Sequence, residues 1–164
     1  MTTRRPHLVA AVSGLLRRTH PPALPPRDVQ LARLLAILDE AVAAQGESDR
    51  IVAACGASGA VSGSVGRSGG VQLNIYQRLG TRLVHLDVDD TLAPYHEHAM
   101  RLIAYHRWIL HEAMNLAFTP HPDPRAEAMR SRLAGLGRPA ADLRTLRHDL
   151  HTLASRTTTP AAPR

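Results

Sequence analysis

Three groups of residues in this chain have types and spacings that chemistry could use. The first is Asp87-Val88-Asp89-Asp90-Thr91, which follows the apolar run Leu83-Val84-His85-Leu86. The second is Val61-Ser62-Gly63-Ser64-Val65-Gly66-Arg67-Ser68, close to the G-x-x-x-x-G-K-S spacing of a phosphate-cradling loop. Such a loop needs glycine for its backbone turn and lysine to reach the β/γ-phosphates. Here Val61 stands at the first glycine and Arg67 at the lysine. The third is a set of ten histidines. His96 and His98 are two apart, His106 and His111 five apart, and His148 and His151 three apart beside Arg144. Paired metal ligands on one helix converge best at i, i+4, a spacing that no pair here has. Neither a metal nor an organic cofactor is expected. Cys55 is the only cysteine and sits among small apolar residues. It reads as a buried, inert thiol, and no intrachain disulfide can form.

The segment Asp87 to Leu92, with the apolar run before it, resembles the first motif of haloacid dehalogenase-like hydrolases, a strand followed by D-x-D-x-T. The resemblance implies Asp87 as nucleophile, Asp89 as general acid, Thr91 as an orienting hydroxyl and Mg²⁺ between the carboxylates. It covers about ten residues of the chain. That family carries the motif near the start of a doubly wound sheet and uses a later lysine. Here all 20 basic residues are Arg, and the residues after the motif read as helices. The competing reading is an acidic helix start, where carboxylates meet the positive end of the helix dipole.

The elements that must position these residues follow from periodicity. Residues 8–18 align Leu8, Val12, Leu15 and Leu16 as a short helix, and the prolines at 21–26 then form an extended connector. Residues 28–45 read as a helix with the stripe Leu31, Leu34, Leu35, Leu38 and Val42, fading at Gln45-Gly46. Residues 56–70 are dense in Gly and Ser and read as a flexible loop. Residues 73–88 fit a helix through Ile75, Leu79, Leu83 and Leu86, or less well a hairpin turning at Gly80-Thr81. Residues 92–118 form the longest helix, with the stripe Ala99, Ile103, His106, Leu110, Ala113, Met114 and Ala117. Asp123 and Pro124 open a helix reaching about Leu136. Pro139 opens the last one, with Leu143, Leu146, Leu150 and Leu153 on one side. Residues 156–164 are too polar and proline-broken to fold alone.

Composition agrees with this pattern. Aromatic residues are 3% of the chain, so a core must be built from aliphatic side chains, which favours helices over an aromatic-rich barrel. The expected fold is an all-α antiparallel bundle of about five helices over 28–155, preceded by a flexible arm at 1–27. The formal charge is +6. Residues 125–156 hold seven Arg against Glu127, Asp142 and Asp149, a basic face that could meet nucleic acid. No aromatic residue interleaves these arginines, which disfavours a single-strand stacking platform. Thr3-Arg4-Arg5-Pro6-His7-Leu8 has the form of a twin-arginine export motif, but Arg17 and Arg18 close its apolar run early. A cytoplasmic chain with no membrane span is expected. Trp108 falls opposite the buried stripe of the long helix, beside Tyr105 and Glu112. A lone Trp on a polar face points to a dimer or partner interface, or to a covering helix at 28–45. The expected function is therefore a non-catalytic interaction or regulatory module. Tyr105, Trp108, Glu112, Arg144 and Arg147 would form its surface, and a protein partner or a second copy would occupy it. Nucleic-acid binding through 125–156 is the alternative, and hydrolysis through Asp87 and Asp89 comes third.

Overall fold

A computed structural model describes residues 24–120 and 122–158. They form five helices: α1 (Arg27–Gly56), α2 (Gly63–Val84), α3 (Ala93–Phe118), α4 (Pro124–Arg130) and α5 (Arg138–Thr158). No strand occurs among the described residues, so the fold is the all-α bundle that the composition predicts. The helix expected at 8–18, the twin-arginine segment and residues 159–164 of the tail lie outside the described residues.

Side-chain pairings fix the helix directions. Glu40 meets Arg78 while Ser48 meets Gln72, so α1 and α2 run antiparallel. Gly69 abuts Met114 and Gly80 faces Ile103, so α2 and α3 are antiparallel as well. Asp49 meets Leu136 and Asp39 meets Arg147, which sets α5 antiparallel to α1. α1 packs against three helices, α2, α3 and α5. That is why its buried residues, from Gln30 and Leu31 to Val52 and Cys55, wrap around it rather than forming one narrow stripe. Leu34, Leu38, Leu79, Leu83, Ile103, Leu110, Leu143 and Leu150 fill the core. Each such side chain contributes about 1.5–3 kcal/mol on burial.

Four boundaries differ from the sequence reading. α1 continues through Gly46 to Gly56, because Ile51, Val52 and Cys55 are buried against the bundle and offset the ~1 kcal/mol cost of a mid-helix glycine. The Gly/Ser-rich stretch is not one loop. Only residues 57–62 connect, and Ser62 caps α2 by accepting from the Ser64 backbone N–H at 3.2 Å. Residues 63–70 are helical, and their glycines let α3 approach closely: a Cβ at Gly69 would collide with the Met114 thioether, and one at Gly66 would press on the Phe118 ring at 3.2 Å. α4 stops at Arg130, well short of Leu136. The connection to α5 then passes through Gly135 and Gly137, both at positive φ. Finally, α5 runs past Ser155 to Thr158. The choice left open at 73–88 resolves as helix up to Val84, with residues 85–92 forming the turn into α3.

Candidate functional site

The corner between α2 and α3 holds the Asp87–Thr91 motif, and its carboxylates divide. Asp89 Oδ1 accepts from the Thr91 hydroxyl at 2.6 Å, the Thr91 N–H at 2.9 Å and the Leu92 N–H at 3.0 Å. These bonds hold the Asp89 carboxyl below its ordinary range, the Thr91 hydroxyl contributing most. Its own N–H donates to Gln30 Oε1 at 2.7 Å, and Gln30 Nε2 donates to the Pro25 carbonyl at 2.6 Å. One buried glutamine thus ties the start of α1 to the start of α3. Asp87 is exposed, and Leu83–Asp87 is a helix end and turn rather than a strand. Asp89 therefore acts as a helix-start clamp. Among the described residues, no three His, Cys, Asp or Glu side chains gather as metal ligands.

The inward side of α3 carries a polar network at the centre of the bundle. His106 is fully buried, and its Nδ1 lies 2.7 Å from the Leu102 carbonyl oxygen. A carbonyl cannot donate, so Nδ1 carries the proton and Nε2 accepts. The donor to Nε2 is the Gln45 amide at 3.2 Å. The same amide donates to the Ala140 carbonyl at 3.0 Å, and Gln45 Oε1 accepts from Arg144 at 2.9 Å. α1, α3 and α5 meet in this chain of bonds. The Tyr76 ring lies tilted against His106 at 5.3 Å, and its hydroxyl donates to the Ala41 carbonyl at 3.3 Å. Burial lowers the His106 pKa from its ordinary 6.5, and the Arg144 guanidinium acts in the same direction. Burial also raises the Tyr76 phenol to about 12. Neutral His106 fits every bond in the network; a proton on Nε2 would face the Gln45 amide donor.

The outward side of α3 is different. Trp108 is 53% exposed, so neither α1 nor any other described helix covers it. Tyr105 leans on it with ring centroids 5.6 Å apart. Beside Trp108 runs a groove of about 440 Å³ bounded by Leu73, Asn74, Gln77, Arg107 and His111. A second groove of about 410 Å³ continues along α2 and α3 past Gly80, Val84 and Met100. The two share Gln77 and Arg107, which hydrogen-bond across the helices. Val84 at 65% exposure, with Met100 and Phe118, extends the apolar character of this face.

The surface expected from sequence is therefore split. Tyr105 and Trp108 touch, and Glu112 lies further along α3 beside His111 at 3.5 Å. Arg144 and Arg147 instead turn to α1, to Gln45 and to Asp39 at 2.5 Å. Helical periodicity could not show that turn, because it says which face a residue occupies and not which neighbouring helix lies within reach. Val84 and Met100 were absent from the expected surface; their places off the buried leucine stripes of α2 and α3 were the available signal. The basic face also loses members. Arg130 is buried and donates to the carbonyls of Cys55 (3.3 Å), Ala57 (2.8 Å) and Gly59 (3.2 Å). Cys55 is fully buried, and desolvation raises its thiol pKa despite the Arg130 charge.

No family model, no curated protein and no solved structure matches this chain. Its functional reading rests on its own geometry. No described helix is long and apolar enough to cross a membrane.

Proposed function

We propose that this chain is a non-catalytic interaction module of the cytoplasm that docks a protein on the outward face of α2 and α3. One observation carries the reading: Val84, Met100 and Trp108 are exposed along adjoining grooves of the same helix pair. Large apolar side chains grouped on a surface cost solvation in the free protein and gain it back when covered. Tryptophan is the residue type most enriched among energetic anchors of interfaces. Several of the polar side chains that could have served chemistry have structural partners. Asp89 clamps a helix start, His106 is sealed in the core, and Arg144 and Arg147 bridge to α1. A single cysteine, buried, suits a reducing compartment.

A photo-reactive side chain at position 108 tests this in cells expressing the protein. The reading expects it to cross-link to a protein chain, while the same group at the exposed Arg33 on α1 does not. Equal capture at both positions, or capture of no protein at 108, overturns the reading. Binding of duplex DNA with an affinity that falls steeply with salt would favour the arginine-rich segment 125–156 instead.

A further inference from the structure

We propose that the occupant of the Trp108 face is a second copy of this chain, with the two α3 helices crossing antiparallel about a twofold axis beside the His106–Arg107 peptide. The inference rests on the docking reading above and adds the partner and the register. Its basis is the order of residues along the outward face of α3. Arg101, Tyr105, Trp108 and Glu112 follow one another at spacings of four, three and four. At 3.6 residues per turn these four fall within an arc of roughly 60°. Arg101 and Trp108 are exposed, and Tyr105 and Glu112 are half-buried.

This row is its own complement when reversed. Arg101 and Glu112 lie equally far from the midpoint between His106 and Arg107, and so do Tyr105 and Trp108. An antiparallel copy in that register places Arg101 opposite Glu112 of the partner subunit and Tyr105 opposite the partner's Trp108. Two ion pairs then flank four aromatic rings. A parallel copy in the same register would set arginine against arginine and glutamate against glutamate, which is repulsive. Arg101, Ala104, Tyr105 and Trp108 also form the i, i+3, i+4, i+7 outline of a hole that receives a side chain from a facing helix. Ala104, exposed and small, lets the backbones approach. The charges are available for this role. Arg101 reaches Glu97 only at 3.9 Å with both side chains about 70% exposed, and Glu112 has His111 at 3.5 Å.

Analytical ultracentrifugation of the full chain over a concentration series tests the inference. The wild type is expected to dimerise, and Trp108→Ala to weaken the dimer about 30-fold or more. Arg101→Glu and Glu112→Arg should each weaken it, and the two together should return it to within about threefold of wild type. Circular dichroism melts check that each variant folds. As an independent measurement, Arg101→Cys and Glu112→Cys are mixed under mild oxidation. The antiparallel register expects disulfide-linked heterodimers in preference to either homodimer. A wild type that stays monomeric at every concentration overturns the inference, as does a double exchange no better than its singles or preferential homodimer cross-linking. If position 108 still cross-links to a different protein, the second copy is wrong while the docking reading stands. If it cross-links to no protein, both fall.

Discussion

His106 and Trp108 stand two positions apart on α3 and obey opposite rules. Around His106 each polar atom has a partner, the ring is sealed from water, and three helices converge on one amide–imidazole contact. Around Trp108 a large ring faces solvent above a groove edged by the exposed polar side chains of Gln77, Arg107 and His111. The difference shows that α3 separates two tasks by face: its inner side specifies how the bundle closes, and its outer side is left for an encounter. Breaking one side should leave the other intact.

The largest effect is expected on the inner side. His106→Ala removes the acceptor for Gln45 and opens a cavity, at a cost of about 3 kcal/mol. Chemical denaturation of the isolated protein reads it, and a loss below about 1 kcal/mol would mean the network is dispensable. Acidity probes the same side more gently. The folded state depresses the His106 pKa below its unfolded value of about 6.5, so the unfolded chain binds the extra proton first. His106 therefore contributes stability that is fully present above pH ~6.5 and is lost as the pH falls through the depressed folded value. Unfolding midpoints from pH 8 down to 5 should decline in the wild type, and His106→Gln should flatten that part of the decline. A parallel fall in both proteins would assign the acid sensitivity elsewhere.

The exposed seam between α1 and α5 should matter less. Asp39 accepts from Arg147 and His151, and burial opposes but does not outweigh their lowering of its pKa. Both partners of the Arg147 pair are over 40% exposed, so Asp39→Asn should cost under about 1 kcal/mol and salt should shrink the difference. A salt-independent loss would show the pair to be less solvated than its exposure indicates. The smallest effect on folding belongs to the outer side. In dilute solution Trp108→Ala should change the unfolding free energy by no more than about 0.5 kcal/mol. A larger loss would erase the contrast, making Trp108 part of the core's closure.

What could be read from sequence follows the same division. The inward stripe of α3, the Asp123-Pro124 helix start and the Leu143, Leu146, Leu150 seam were legible because burial imposes a 3.6-residue period. Trp108 was legible as an outward residue by that period. The glycines of α2 misled because composition counts small residues without asking what approaches them. In the fold, Met114 and Phe118 lie against the positions where Gly69 and Gly66 lack a Cβ. Arg144 and Arg147 lie on the expected helix, but their partners Gln45 and Asp39 are about a hundred positions away, beyond any local pattern.

Arg130 has a consequence for the order in which the molecule can be completed. Its guanidinium collects carbonyls at the C-terminal, electronegative end of α1, yet it is 75 positions downstream of Cys55. Until residue 130 has left the ribosome, a nascent chain lacks the donor that these carbonyls meet in the finished fold.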